Sequence, residues 1–488
     1  MTSLHRFRRL LSMLALVAGI GLRLALLAVA DDRTSALAAG AVLLICLFVC
    51  LRFLRLELLS PPMLYLCVFS LFHLGLAIPW ALGIYAEKLP DWFLYNRLTP
   101  ALALVALATV SYCSGLLYSC RLNSEVFLEP VYVNRFLFAC GLFVYLAGCA
   151  MFFLGIQPLG GWRFFDAGYS ETYRLAAEFD PRFFGTSFTV VPIGLYLAAA
   201  SFPRRWMSVM LCITAIWVGG IFFLGFRGYA LIPGLVVLSV LRHRGYRAPA
   251  WMNATLVCIV LMAIPVARNL RDRGLPQRSI ESFSAGAHPL AGIVEMGGSL
   301  RPLVHTLRYL KNEPWRWGRT YWRSLGTVWP NLAPRWEGGR YIALEDLPPN
   351  HWLTLQAEPE MYHNYGGLGF SAVAEPYMNF GVPGVILYFW GLGMLLGRVA
   401  GRRLRRPVKL AAWAVVVGPL LWTTRNSFEI FFRPAIWGLI AVSAAWLASS
   451  LARSRLEAST GCAGTGPTRS FSVGPSRRGD IGARAYSQ

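Results

Sequence analysis

The sequence predicts an all-α protein: a polytopic transmembrane helical bundle of about 12 spans, with one large periplasmic loop that carries short helices. Three observations predict it. Of the 488 residues, 56% are hydrophobic and only 14% are charged, with a mean hydropathy of +0.50, whereas soluble domains carry about 25% charged residues. Apolar runs of about 17 to 22 residues recur along the whole chain, the length a helix needs to cross the hydrocarbon core. The arginines gather in alternate short connections, as orientation signals do. A net charge of +22 would suggest nucleic acid in a soluble protein, but charge placed this way belongs to membrane orientation, and no nucleic-acid partner is expected.

In chain order, the basic residues His5, Arg6, Arg8 and Arg9 precede an apolar run reaching Ala30. The run imitates a secretory signal, but it is long for one and contains Arg23, which predicts an uncleaved first helix. Further spans fit at 35–56, 61–80, 99–119, 133–155, 184–202, 206–225, 228–242, 249–267, 380–400, 409–424 and 433–452. The chain therefore divides into nine spans over 1–267, a large loop over 268–365, three spans over 366–454, and a tail over 455–488. The tail is rich in Ser, Gly and Arg, lacks apolar periodicity, and is expected to be disordered.

With the N-terminus in the cytoplasm, Arg52 and Arg55, Arg121, Arg204 and Arg205, Arg242, Arg244 and Arg247, and Arg402 to Lys409 all fall on cytoplasmic connections. The acidic or mixed connections, and the loop over 268–365, then face outward, and both termini are cytoplasmic. A loop of that size is usually functional. Its Trp315, Trp317, Trp322, Trp329, Trp336 and Trp352 fit either an interfacial belt or stacking on sugar rings. Leu300 to Leu310 has apolar residues at helical spacing, which predicts short helices lying on the membrane. No internal repeat is present, so an inverted-repeat transporter is not inferred. Nine of the ten cysteines lie between Cys46 and Cys258 in or beside apolar runs, and without a CxxC pair or a Cys/His cluster no metal site or disulfide framework is expected.

The stretch from Gly366 to Gly384 places a carboxylate, Glu375, at a membrane boundary with Pro376 after it. The backbone is expected to break there and to leave polar groups in need of partners. Ionisable groups in that position are usually functional; the alternative is a helix cap or an Arg partner. Arginines recur on the same side: Arg227 between two closely spaced spans, Arg268 with Arg271 and Arg273, and Arg425 and Arg433 around Asn426-Ser427-Phe428-Glu429. Planar, permanently charged guanidinium groups suit phosphate and diphosphate oxygens without a metal. Snorkelling to head groups, or pairing with Glu375, Glu429 or Asp272, is the other use for them. The acid/base candidates are Asp346, His351, Glu358, Glu360, His363 and Glu375, with His363 suited to deprotonating a hydroxyl near neutral pH. There is no Walker loop, GxSxG elbow or HExxH motif, so nucleotide-driven chemistry is unsupported.

Gly369-Phe370-Ser371, Ala374-Glu375, Tyr377, Asn379-Phe380-Gly381 and Gly384, followed by Arg425-Asn426-Ser427 and Arg433-Pro434, resemble the arrangement in bacterial oligosaccharide repeat-unit polymerases, the O-antigen (Wzy-type) polymerases. The resemblance covers Arg227 and residues 363–434; the first half matches only in hydropathy. It implies a multi-pass protein of the bacterial inner membrane that moves a growing glycan from undecaprenyl diphosphate onto a sugar hydroxyl of an incoming lipid-linked repeat unit. In that setting Arg227, Arg268, Arg425 and Arg433 are expected to hold the diphosphate. His363 or Glu375 would take the acceptor hydroxyl, and Tyr377, Asn379 and Trp352 the sugars. No cofactor or metal is implied; membrane lipid and a chain-length regulator are implied partners. An O-antigen ligase and a flippase of lipid-linked sugars are the alternatives.

Overall fold

A computed structural model of the protein describes residues 2–85, 89–95, 97–120, 133–165, 171, 174–175, 182–246, 249–271, 288–328, 347–363, 366–400 and 406–461. Among them there is no strand. The helices are α1 (Thr2–Val29), α2 (Asp32–Phe48), α3 (Pro61–Leu74), α4 (Ala77–Ala81), α5 (Leu98–Ser119), α6 (Arg135–Ile156), α7 (Arg182–Ser201), α8 (Met207–Phe223) and α9 (Arg227–His243). They continue with α10 (Ala250–Arg271), α11 (Pro289–Gly297), α12 (Arg301–Tyr309), α13 (Arg319–Gly326), α14 (Pro349–Ala357), α15 (Pro359–His363), α16 (Ala374–Ala400), α17 (Pro407–Trp422) and α18 (Glu429–Gly461).

Eight helical stretches among the described residues are long and apolar enough to cross a membrane, and Pro61–Leu74, Thr255–Val266 and Pro407–Trp422 are shorter apolar helices beside them. The expected count of about 12 is thus not reached by length and apolarity. One cause is visible at 61–80, where the helix is interrupted between α3 and α4. There Gly75 meets Gly297, the last residue of α11, so closely that a Cβ on Gly297 would fall 1.9 Å from the Leu76 nitrogen. The segment that carries α11 therefore docks into a notch at the break in the span. A second cause is α9, whose Arg227, Arg242 and His243 leave it short of a fully apolar run.

The centre of the bundle is α5, buried along nearly its whole length. Against it α1 runs antiparallel, with the Ser12 and Ser114 hydroxyls 2.8 Å apart. Helix α2 runs parallel, since the Thr99 hydroxyl donates to Asp32 at 2.6 Å while Cys50 approaches Cys113 at the far end. Helix α16 lies along α5, and α3 packs Phe69 against Phe389 of α16. One end of the bundle joins Arg242 to Glu57 at 2.6 Å. The opposite end holds His73, Arg227, the start of α16 and the loop between α17 and α18.

Helix α12 forms where the sequence predicts a short helix, but Leu303, Val304 and Leu307 are buried against the protein. It packs on α5, α14 and α16 instead of presenting its apolar side to the membrane. The chain divides into two units, Met1–Ala445 and Trp446–Gln488. Residues 455–461 of the expected tail belong to α18, and 462–488 lie outside the described residues.

Candidate active site

The site grows from the start of α16. Ser371 accepts from the N–H groups of Val373 and Ala374 at 3.1 and 3.4 Å, capping a helix whose first donors have no intrahelical acceptor. His73 of α3, wholly buried, holds that cap through its Nε2, 2.8 Å from the Ser371 hydroxyl. Its Nδ1 lies 2.9 Å from the Phe69 carbonyl oxygen, so the proton on Nδ1 goes to the carbonyl and Nε2 accepts from the serine. Pro376 sits in the first turn of α16, where a missing N–H costs nothing. The break expected beside Glu375 comes later, at Gly381.

Gly381 has φ 65° and ψ −150°, a region open in practice only to glycine. With Pro383 two residues on, the kink leaves the Met378 and Asn379 carbonyls to donors from outside the helix. The loop before α13 supplies them: Arg316 N–H donates to Met378 O at 3.2 Å and Trp317 N–H to Asn379 O at 3.1 Å. The Asn379 side chain completes the clamp. It accepts from Gly318 N–H at 2.9 Å and donates to the Thr320 hydroxyl at 2.7 Å and to Glu375 O at 2.9 Å. A Cβ on Gly381 would press on the Trp315 ring at 3.3 Å. Gly381→Ala is therefore expected to lower stability by about 1–3 kcal/mol, read as a drop in thermal midpoint of the purified protein; an unchanged midpoint would remove the kink as a strained element.

Glu375, 3% exposed, faces inward from this turn. Its Oε2 accepts from Phe428 N–H at 2.6 Å, and its buried Oε1 has no hydrogen-bond partner of ordinary geometry, the Thr320 hydroxyl being the nearest other donor to the carboxylate. The Tyr321 hydroxyl of α13 is also enclosed without a hydrogen-bond partner. Burial first, and then the Glu375 carboxylate, push the Tyr321 phenol well above its ordinary value. A buried acceptor and donor without partners mark a place where a substrate hydroxyl could be received. Two hydrogen bonds stitch this loop to the last connection: the one to Phe428, and Phe370 N–H to Arg425 O at 2.9 Å. The segments 369–384 and 425–434, far apart in sequence, are neighbours.

Arg433 donates through Nε to Thr327 O at 2.7 Å. It lines a partly open cavity of about 300 Å³ with Thr327, Glu429, Tyr229, Tyr196 and Trp422, walled by apolar side chains of α7, α9 and α17. Arg425 is exposed and lies over the Phe72 ring at 5.9 Å. Arg227 pairs with Glu295 of α11 and donates to Ile264 O at 3.3 Å; the sequence reading offered other acids as partners and missed this one. Arg268 lies in α10, with its side chain outside the described residues, and Asp272, Arg273 and Asp346 are outside them altogether.

His363 ends α15 exposed, its ring beside Tyr362, and among the described residues no hydrogen bond joins it to Glu375. Glu358 pairs with Arg301, and burial lowers the pKa of His351 and so favours its neutral form. Tyr377 is half-buried against Trp315 at 5.5 Å. Trp352 is 0% exposed, with the Arg316 guanidinium 4.9 Å over its ring, so it offers no face to a sugar in this arrangement. Trp317 and Trp322, at 73% and 75%, are the most exposed rings nearby. Tyr321 had no signal in the sequence, because a tyrosine in a loop helix is unremarked until its neighbours are known.

A protein family described as O-antigen polysaccharide polymerase Wzy matches residues 11–453. Protein CapE of Staphylococcus aureus is 26% identical over 249 residues, which cover 50% of this chain and 51% of that protein, so the chain spans about half the length of the curated relative. No solved structure matches the chain.

Proposed function

The chain belongs to the O-antigen polysaccharide polymerase Wzy family, and from that premise we propose that it joins undecaprenyl-diphosphate-linked oligosaccharide repeat units into a surface polysaccharide. The reaction takes place at the outer face of the inner membrane, with both termini cytoplasmic, as the alternation of arginines suggests. The acceptor sugar's hydroxyl oxygen bonds to the anomeric carbon of the growing chain, and its proton passes to Glu375. The bond from that carbon to the phosphate oxygen breaks, releasing undecaprenyl diphosphate. Arg433 in its cavity and the exposed Arg425 on the preceding loop supply the cations for the charge that builds on the departing diphosphate. Trp317 and Trp322 are suited to sugar stacking.

One observation carries this reading: a buried carboxylate with an oxygen not held by any hydrogen bond of ordinary geometry is tied by backbone hydrogen bonds to the loop that bears Arg425 and leads into Arg433. The test is purified protein mixed with a lipid-linked repeat unit. A ladder of products differing by one repeat is expected. Consumption of the donor only when a lipid A core acceptor is added would mark a ligase and reject the proposal.

A further inference from the structure

Four helices bring a proline to one space. The cavity beside Arg433 is lined by Pro192 of α7, Pro233 of α9, Pro419 of α17 and Pro434 of α18, and each of these prolines stands inside its helix. An interior proline removes a backbone hydrogen bond and bends the helix off its line. One such residue in a membrane helix needs no explanation, but four that converge hold the space open from each helical wall. Packed interiors otherwise close such volumes, because a void forfeits contacts for every atom that lines it. A space of about 300 Å³ kept open in this way is built for an occupant.

Its shape and chemistry select one. On α17 the lining runs from Trp422, beside the loop that bears Arg425, back to Val415, seven residues and so about 10 Å into the bundle. The charged groups, Glu429 and Arg433, lie on the first turns of α18, whereas Ile193, Ile232 and Val415 make the walls apolar further in. A ligand matched to that order carries an anionic head at the loop and a hydrocarbon chain pointing into the membrane. The glycan of a lipid-linked substrate leaves the diphosphate in the opposite direction and does not compete for this space. A volume of about 300 Å³ drawn out over that depth has room for one chain, and a bilayer phospholipid brings two.

We propose that this cavity binds the first isoprenoid units of the polyprenyl carrier, with the carrier's diphosphate held at Arg433. This rests on the polymerase reading above, and it gives α7 and α17, which hold none of the candidate acids and arginines, a part in substrate binding.

Gly185 supplies the test. It lines the cavity, and a Cβ built on it meets no neighbouring atom within 4 Å. A larger side chain there enters the space without displacing a neighbour and replaces glycine by a better helix former, so Gly185→Leu is expected to melt at or above the wild-type midpoint. Binding to the full-length protein in detergent is measured by native mass spectrometry for undecaprenyl diphosphate, farnesyl diphosphate, inorganic pyrophosphate and phosphatidylglycerol. Gly185→Leu is expected to weaken both isoprenoid diphosphates about 10-fold, as when roughly two methylene groups lose their burial, and to leave pyrophosphate and phosphatidylglycerol unchanged. Wild-type affinity for both isoprenoids overturns the inference. So does an equal loss of pyrophosphate, which marks a disturbed mouth, or of phosphatidylglycerol, which marks a general lipid crevice. Should Gly185→Leu not fold, Thr189→Leu, one turn along the same wall, takes its place and is held to the same outcomes. Chain extension by the wild type is measured alongside. Extension with unaltered isoprenoid binding in Gly185→Leu sinks only this inference, whereas absent extension with a selective isoprenoid loss sinks only the polymerase reading.

Discussion

Glu375→Gln is expected to reduce chain extension by about 10²–10⁴-fold, the range for losing a positioned proton acceptor, in protein that inserts and melts like the wild type. The substitution preserves shape, and the amide oxygen can still accept the hydrogen bond from Phe428 N–H that anchors the side chain. Only the capacity to take a proton is lost. A purely structural carboxylate predicts the reverse pattern. Removing an ionisable group from a site 3% exposed relieves desolvation and leaves stability level or improved, so a capping or packing role would show near-normal extension. Rate and thermal midpoint measured on the same preparation decide between the two, and a rate within about threefold of wild type, against the expected range, would remove Glu375 from the chemistry.

The membrane class was legible because it depends on composition and run length, which are local. The helices over 99–119 and 433–452 appear in the structure within α5 and α18. The break at Gly75 was not legible, since it is set by a residue more than two hundred positions away, Gly297. The same holds for the site. Glu375 could be found as an isolated acid at a helix boundary, but Asn379 reads equally as a sugar ligand until Gly318 and Thr320 are seen to occupy its amide. Arg227 reads as a diphosphate ligand or as the partner of Glu375, Glu429 or Asp272 until Glu295 is placed on it. Trp352 illustrates the limit in reverse: nothing in an aromatic-rich loop tells a buried ring from an exposed one, and the structure places it under Arg316. What periodicity and motif reading missed is in each case a long-range partner, and long-range partners separate a structural polar group from one left for substrate.

Arg433→Ala is expected to slow extension by about 10²–10³-fold, the size of effect seen when a fixed donor to developing negative charge is lost. The argument has to contend with Glu429, one turn earlier on α18, which lines the same cavity and interacts with the Arg433 charge. Removing the guanidinium alone exposes that carboxylate to an apolar cavity and also cuts the bond from Nε to Thr327 O, so a fall in rate could come from disturbed structure. Two variants separate the causes. Glu429→Gln combined with Arg433→Gln removes the stranded charge, and its thermal midpoint is expected to lie closer to wild type than that of Arg433→Ala, while its extension rate stays low. A diphosphate ligand predicts recovered stability without recovered rate, because no neutral side chain replaces a cation facing a leaving group of concentrated negative charge. If the rate recovers together with stability, Arg433 is a brace between α13 and α18, and the departing diphosphate must be held by Arg425 or by cations outside this cavity.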